Sequence, residues 1–246
     1  MDKIKKILIT PEGRKFYIRD LNSDFHSQFG FVKKADLKKK DGTTVLTNTG
    51  REMVVFKPSF IDSYRRIKRD PQIIPLKDIA AIIAETGVDR TSLVVDAGAG
   101  SGALCCFLAN VAKKVVTYEL REDFAATCRQ NFEFLGLKNI TLKRKNIYEG
   151  IDEKNVDLIT FDLPEPWMAL EHAKKALKIG GFLVSYSPTI PQVADFVNAA
   201  VKIEGMMHIK TIEIIEREWE VSDRKVRPRS QMIGHTGFLS FLRRVK

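Results

Sequence analysis

Cysteine is scarce in this chain: three residues in 246, with Cys105 and Cys106 adjacent and Cys128 beyond them. That number and spacing give neither a disulfide framework nor a Cys-x-x-Cys metal signature. Histidine is as thin. His26, His172, His208 and His235 are scattered without metal spacing, so no metal site is expected. Long apolar runs are missing, which excludes a spanning helix, and Met1-Asp2-Lys3-Ile4-Lys5-Lys6 lacks the apolar stretch of a signal peptide. A cytoplasmic protein without membrane attachment is expected. Internal repeats and low-complexity tails are absent too, which excludes a repeat array.

Hydrophobic residues make up 44% of the chain, enough for a sizeable core, and the length suits one large domain with a smaller one attached. The formal net charge is +10, unevenly placed. Residues 1–70 carry 17 Lys or Arg against 9 acids, residues 71–216 carry 16 against 19, and residues 217–246 carry 8 against 3. The ends are basic and the middle is slightly acidic. A polyanionic partner suits the ends and a cationic ligand suits the middle. Lys38-Lys39-Lys40, Arg65-Arg66-Ile67-Lys68-Arg69 and Arg224-Lys225-Val226-Arg227-Pro228-Arg229 are candidate phosphate contacts, although any single cluster also reads as solvated surface.

Two motifs carry chemistry. The first is Leu93-Val94-Val95-Asp96-Ala97-Gly98-Ala99-Gly100-Ser101-Gly102-Ala103-Leu104, a β-branched run, a glycine turn and then a helix over 104–112. Such a turn lets a ligand approach the backbone, and the helix start offers free N–H groups. A second strand, 114–118, ends at Glu119, placed to accept from ribose hydroxyls. The spacing fits both the Ala-ended dinucleotide fingerprint and the Asp-x-Gly-x-Gly-x-Gly loop of S-adenosylmethionine sites.

The second motif is Asp162-Leu163-Pro164-Glu165-Pro166-Trp167, after the buried-strand run 156–161. Its carboxylate can accept from an amino group, its prolines stiffen the loop, and its indole offers a stacking face. The competing structural reading makes Asp162 a strand cap and Trp167 part of the core. A third strand, 140–145, ends at Asn146, an amide suited to an adenine edge. About ninety residues precede the glycine loop, whereas dinucleotide domains usually begin with it. The order glycine loop, acid, amide, Asp-Leu-Pro-x-Pro-Trp resembles class I methyltransferases.

The first residues read as a β module. Strands are expected at 7–10, 15–18, 29–32, 44–47 and 53–57, with turns at Pro11-Glu12-Gly13, Asp41-Gly42 and Asn48-Thr49-Gly50. A helix over 59–69 is broken at Asp70-Pro71. Further helices are expected at 77–85, 167–177 and 192–201. A Gly180-Gly181 turn precedes a strand at 182–186, and a strand pair, 209–219 with 237–244, closes the sheet. The fold class is α/β: a class I (Rossmann-like) S-adenosylmethionine methyltransferase sheet over 63–246 with a small N-terminal all-β domain over 1–62.

Nearly the whole chain resembles the TrmI-type tRNA (adenine-N1)-methyltransferases, most strongly their archaeal branch. The resemblance rests on Asp24-Phe25-His26, Pro71-Gln72-Ile73-Ile74 with Lys77-Asp78, the glycine loop, Tyr118-Glu119-Leu120-Arg121-Glu122-Asp123-Phe124, Asn146-Ile147-Tyr148-Glu149-Gly150, the Asp162 motif, Arg227-Pro228-Arg229 and His235-Thr236-Gly237. It implies N1-methylation of adenosine 58 in the tRNA T-loop, in archaea sometimes also 57, and a homotetramer. It implies that the β domain contributes to tRNA binding and oligomer contacts. The expected cofactor, S-adenosyl-L-methionine, would lie against Gln72, Ile73, Gly98, Gly100, Ser101, Gly102, Ala103, Leu104, Glu119, Asn146, Ile147 and Asp162. Asp162 is the expected catalytic residue. Pro164, Trp167, Arg65, Arg66, Arg69, Arg227, Arg229 and His235 are the expected RNA contacts.

Two departures stand out. Relatives often have Tyr or His followed by Pro after Gln-Ile-Ile, where this chain has Pro75-Leu76, and many have Asp in place of Asn146. The residues leave two other readings open: a noncatalytic RNA-binding homologue, and an enzyme acting on protein isoaspartate or a small molecule.

Overall fold

The computed structural model describes residues 2–69 and 73–246. The chain divides into two compact units, one reaching Ile67 and including Glu133–Gly136, the other running from Lys68 through the remainder.

The first unit is an antiparallel sheet in the order β2-β1-β6-β5, formed by β1 (Lys6–Ile9), β2 (Lys15–Ile18), β5 (Thr43–Leu46) and β6 (Glu52–Phe56). Gly13, at φ +85°, closes the first hairpin by donating to the Thr10 carbonyl at 2.8 Å. Leu8, Ile18, Val45, Met53 and Val55 alternate inward to form the core with Val32 and Leu37. Neither β3 (Phe25–Ser27) nor α1 (Lys34–Leu37) is among the expected elements, and β4 (Gly30–Val32) begins one residue later than the expected strand. Three- and four-residue elements are too short to carry a period.

The expected helix over 59–69 is shorter. A capping box between Ser59 and Asp62 starts α2, which spans only Phe60–Tyr64. At Lys68 a distant side chain takes over the backbone: Asn131 Oδ1 accepts from the Lys68 N–H at 2.9 Å, and Asn131 Nδ2 donates to the Lys68 carbonyl at 2.9 Å. No local pattern announces such a peg.

The second unit is built on a seven-stranded sheet in the order β12-β15-β11-β10-β7-β8-β9. Its parallel strands are β7 (Leu93–Ala97), β8 (Lys114–Tyr118), β9 (Ile140–Lys143), β10 (Val156–Phe161) and β11 (Leu177–Ser187). Helices α3 (Leu76–Thr86), α4 (Ala103–Val111), α5 (Glu122–Leu135), α6 (Leu170–Ala176) and α7 (Ile190–Ala200) connect or flank them. The chain runs outward from β7 to β8 and β9 on one side, while β10 and β11 lie on the other. The crevice beyond the carboxyl ends of β7 and β10 is therefore the topological switch point. Val95, Val116, Ile159, Phe161 and Leu183, all at most 1% exposed, anchor the core beneath it.

Three expectations need correction here. Residues 167–177 form a 3-10 turn, Pro166–Ala169, followed by α6, because Pro166 sits at the start of the turn. The Gly180-Gly181 turn lies inside β11 as an irregularity: Val156 pairs with Leu177, but Leu158 pairs with Phe182. The carboxyl-terminal strand pair is β12 (Met206–Glu213) with β15 (Phe238–Arg244). Glu213 pairs with Phe238, where β15 begins, so the chain beyond Glu213 has no strand to follow. It leaves the sheet and forms a separate hairpin, β13 (Trp219–Ser222) with β14 (Lys225–Pro228).

Candidate active site

The ends of β7 and β10 are locked together. The Asp162 N–H donates to the Ala97 carbonyl at 2.9 Å, and a Cβ on Gly98 would collide with the Asp162 carbonyl oxygen. Gly98, at φ +85°, therefore serves strand-to-strand approach. Gly102 serves helix packing, since a Cβ there would lie 3.1 Å from Cys128 Sγ and 3.2 Å from the Phe132 ring. Gly100 alone faces open space, and its N–H donates to Glu119 Oε2 at 3.0 Å. Glu119 Oε1 accepts from the Arg121 N–H at 2.8 Å, so a nearly buried carboxylate braces the loop with both oxygens.

A narrow pocket is lined by Ile73, Ile74, Gly98, Ala99, Gly100, Ser101, Ala103, Leu104 and Asp162. The expected cofactor residues Ile73, Gly98, Gly100, Ser101, Ala103, Leu104 and Asp162 thus meet in one place. The Ser101 hydroxyl is buried and has no hydrogen-bond partner among the described residues. Gln72 lies outside the described residues. Ile147 contributes its side chain to the core. Asn146 caps the 3-10 turn Ile147–Glu149, its Oδ1 accepting from the Tyr148 N–H at 3.1 Å, because β9 stops at Lys143, two residues before the expected strand end.

Two aspartates at this edge contrast. Asp96 is 1% exposed and accepts from Thr117 Oγ1 at 2.7 Å and Thr160 Oγ1 at 2.8 Å, tying β7 to β8 and β10. Burial pushes its carboxyl up to about 6 despite those bonds. Asp162 is an exposed residue at the mouth, and among the described residues its carboxylate has no hydrogen bond or ion pair. Desolvation by the protein packed around its carboxyl, with the Asp96 charge second, raises it to about 7. A free, elevated carboxylate beside a glycine pocket is an acceptor without an internal partner. The three thiols are buried, and burial holds those of Cys105 and Cys128 far above the usual range, so neither is an activated nucleophile.

A polar clasp adjoins this edge. Lys77 Nζ reaches both oxygens of the fully buried Asp78 at 2.9 Å and donates to Thr236 Oγ1 at 2.8 Å. The Tyr186 hydroxyl donates to the Thr236 carbonyl at 2.6 Å, and Gly237 leaves room for its ring. Burial, then the Asp78 and Asp162 charges, raise the Tyr186 phenol to about 12. Asp96, Asn131, Thr236 and Tyr186 had no assigned role in the sequence reading. Asp96 left a signal there as an acid within an apolar strand, and Thr236 stood in the motif His235-Thr236-Gly237.

The expected RNA contacts fare differently. Trp167 is half-buried against the core, as the structural reading of that residue has it. Pro164 is exposed and its carbonyl accepts from Gln192 Nε2 at 3.2 Å. His235 has both ring nitrogens engaged, with Glu213 Oε1 at 2.6 Å and the Pro188 carbonyl at 2.8 Å. Arg227 pairs with Glu220 at 3.0 Å and Arg229 with Glu218 at 2.8 Å. Arg65, Arg66 and Arg69 are exposed, with the Arg66 guanidinium 4.1 Å from the centre of the Tyr17 ring.

Residues 65–227 match the family model of the tRNA methyltransferase complex GCD14 subunit. The chain belongs to this family. It is 37% identical over 97% of its length to the tRNA (adenine(57)-N(1)/adenine(58)-N(1))-methyltransferase TrmI of Methanocaldococcus jannaschii, covering 94% of that protein. It is 36% identical over 90% of its length to the tRNA (adenine(58)-N(1))-methyltransferase TrmI of Thermus thermophilus, covering 89% of it. A SAM-dependent O-methyltransferase from Thermotoga maritima superposes with a TM-score of 0.87 at 29% identity, over all of this chain and 94% of that one. The tRNA (m1A58) methyltransferase TrmI of Aquifex aeolicus gives 0.81 at 25% identity, over all of this chain and 99% of that one. The class I methyltransferase sheet is thus common to the family and this chain. Among the described residues no helix is long and apolar enough to cross a membrane, and no cluster of His, Cys, Asp or Glu could hold a metal ion.

Proposed function

We propose that this protein transfers a methyl group from S-adenosyl-L-methionine to N1 of adenosine 58 in the tRNA T-loop, and to adenosine 57 where that is also an adenosine. The observation that carries the reading is the unpartnered, elevated carboxylate of Asp162 beside the glycine pocket, in a chain with TrmI relatives at 36–37% identity. The chemistry of the pocket lining suits the cofactor. Gly100 leaves space, the Ser101 hydroxyl lacks a partner, and Glu119 keeps lone pairs for ribose hydroxyls. When bound, S-adenosylmethionine supplies an activated sulfonium methyl. The residues of this chain then have to align adenine N1 and exclude water. Asp162 accepts from the adenine amino group. That bond strengthens as positive charge develops on the ring, so it favours the transition state over the ground state. The basic ends offset the cost of unstacking the base, roughly a few kcal/mol, through phosphate contacts. A homotetramer is part of this proposal, on the family resemblance.

The test is methyl incorporation from labelled S-adenosylmethionine into unmodified tRNA transcript, followed by nucleoside analysis. N1-methyladenosine is the expected product. A ribose-methylated nucleoside would favour oxygen transfer, the activity named for the Thermotoga structure. No product at all, with cofactor binding intact by calorimetry, would overturn the reading.

A further inference from the structure

A cavity of about 700 Å³ lies on the second unit between the start of α3 and the excursion that joins β12 to β15, with Pro75, Lys77, Met232, Ile233 and Thr236 in its wall. It falls within the roughly 300–1,000 Å³ range of small-ligand sites. Its position follows from chain continuity: Ile74 lines the glycine pocket and the next residue, Pro75, lines this cavity. Thr236 connects the two from the other side, since its carbonyl holds the Tyr186 hydroxyl and Tyr186 lies within the influence of the Asp162 charge.

The wall has the character of a nucleobase site. Pro75, Met232 and Ile233 offer apolar surface, Met232 being 47% and Ile233 70% exposed. Ser230 and Gln231, also in the wall, have side chains with no hydrogen bond among the described residues, so a base edge has donors and acceptors to meet. Among the described residues the Arg229 guanidinium has an exposed pair with Glu218, an arrangement weak enough for a phosphate to replace. Two acids, Glu216 and Glu218, and two bases, Lys77 and Arg229, occur together, which suits a nucleoside with one phosphate better than a polyanion.

We infer that this cavity is a nucleotide subsite that seats the residue adjoining the methylated adenosine in the RNA chain. The base lies against Pro75, Met232 and Ile233, with its edge toward Gln231. The inference rests on the RNA-methyltransferase reading above. The test uses full-length tRNA carrying 2-aminopurine at the position before or after the target adenosine, bound to the whole protein with S-adenosylhomocysteine present. The fluorescence should change at one of the two positions, and the change should vanish in Met232→Ser/Ile233→Ser. The same variant should raise KM for tRNA about tenfold, with kcat and cofactor affinity unchanged. Silence at both positions in the wild type, or an unaltered KM in the variant, would overturn the subsite. So would a variant that loses particle mass along with activity, because the face would then join copies of this chain. Wild-type protein that makes no N1-methyladenosine would bring down the methyltransferase reading, and the subsite with it.

Discussion

The carboxyl edge of the sheet and the excursion over 214–237 bear on the same chemistry but are held in opposite ways. At the sheet edge the loops are fixed by close backbone approach and by carboxylates held from neighbouring strands: Gly98 against the Asp162 carbonyl, Gly100 N–H on Glu119, and Asp96 between two threonines. The excursion carries exposed ion pairs, Arg227 with Glu220 and Arg229 with Glu218, that contribute little stability. It is fastened by a few distant polar contacts, chiefly Lys77, Asp78 and Thr236. A rigid edge suits an invariant small cofactor. A loosely bordered wall suits an acceptor that must enter and leave.

Substitutions should separate the two regions. Gly98→Ala should have the largest effect, because a left-handed backbone and a blocked carbonyl coincide there. A loss of roughly 2–5 kcal/mol is expected, together with loss of cofactor binding. Thermal denaturation and calorimetry measure both, and near-normal stability would deny the strand-locking role. Lys77→Met strands the buried Asp78 carboxylate and should cost about 3 kcal/mol by denaturant titration. Thr236→Val should cost nearer 1 kcal/mol. Equal costs would mean that the clasp is not organised around the ion pair. Glu119→Gln should weaken cofactor binding about tenfold while leaving the fold intact, since one oxygen can still brace Gly100.

The smallest effect belongs to His235. Glu213 and the Pro188 carbonyl both accept, so they favour the doubly protonated ring and raise its pKa. A raised histidine stabilises fully below its ordinary value, and the contribution is lost as pH rises through the raised one. Melting temperature should decline slightly across that window in the wild type and not in Glu213→Gln. Parallel profiles would remove the latch.

This contrast also explains what could be read from the residues. The glycine loop, Glu119 and Asp162 sit at the ends of short apolar strands, where local period and turn chemistry are strong. Five parallel strands and most of the pocket lining followed from them. The three loop glycines read alike in the sequence, yet Gly98 and Gly102 also answer to backbone and helix packing that only the fold brings near. Asn131, which donates to the Ser101 carbonyl at 2.8 Å and ends the run at Lys68, acts across distances that no local pattern encodes. The β13–β14 hairpin escaped for another reason: 209–219 reads as one strand, and only the register shows that pairing stops where Glu213 meets Phe238, the first residue of β15.

The central claim is that the unpaired Asp162 carboxylate receives the adenine amino group. The most direct measurement is the pH dependence of kcat/KM for tRNA, wild type against Asp162→Asn, with cofactor affinity measured alongside. In the wild type the rate should fall as pH drops through a limb at or below about 7, because protonation removes the acceptor and the bound cation can only lower that value. Asp162→Asn should abolish the limb and lose on the order of 10²–10³ in rate with cofactor affinity nearly unchanged. A variant with near-normal turnover, or one that keeps the same acid limb, would contradict the account.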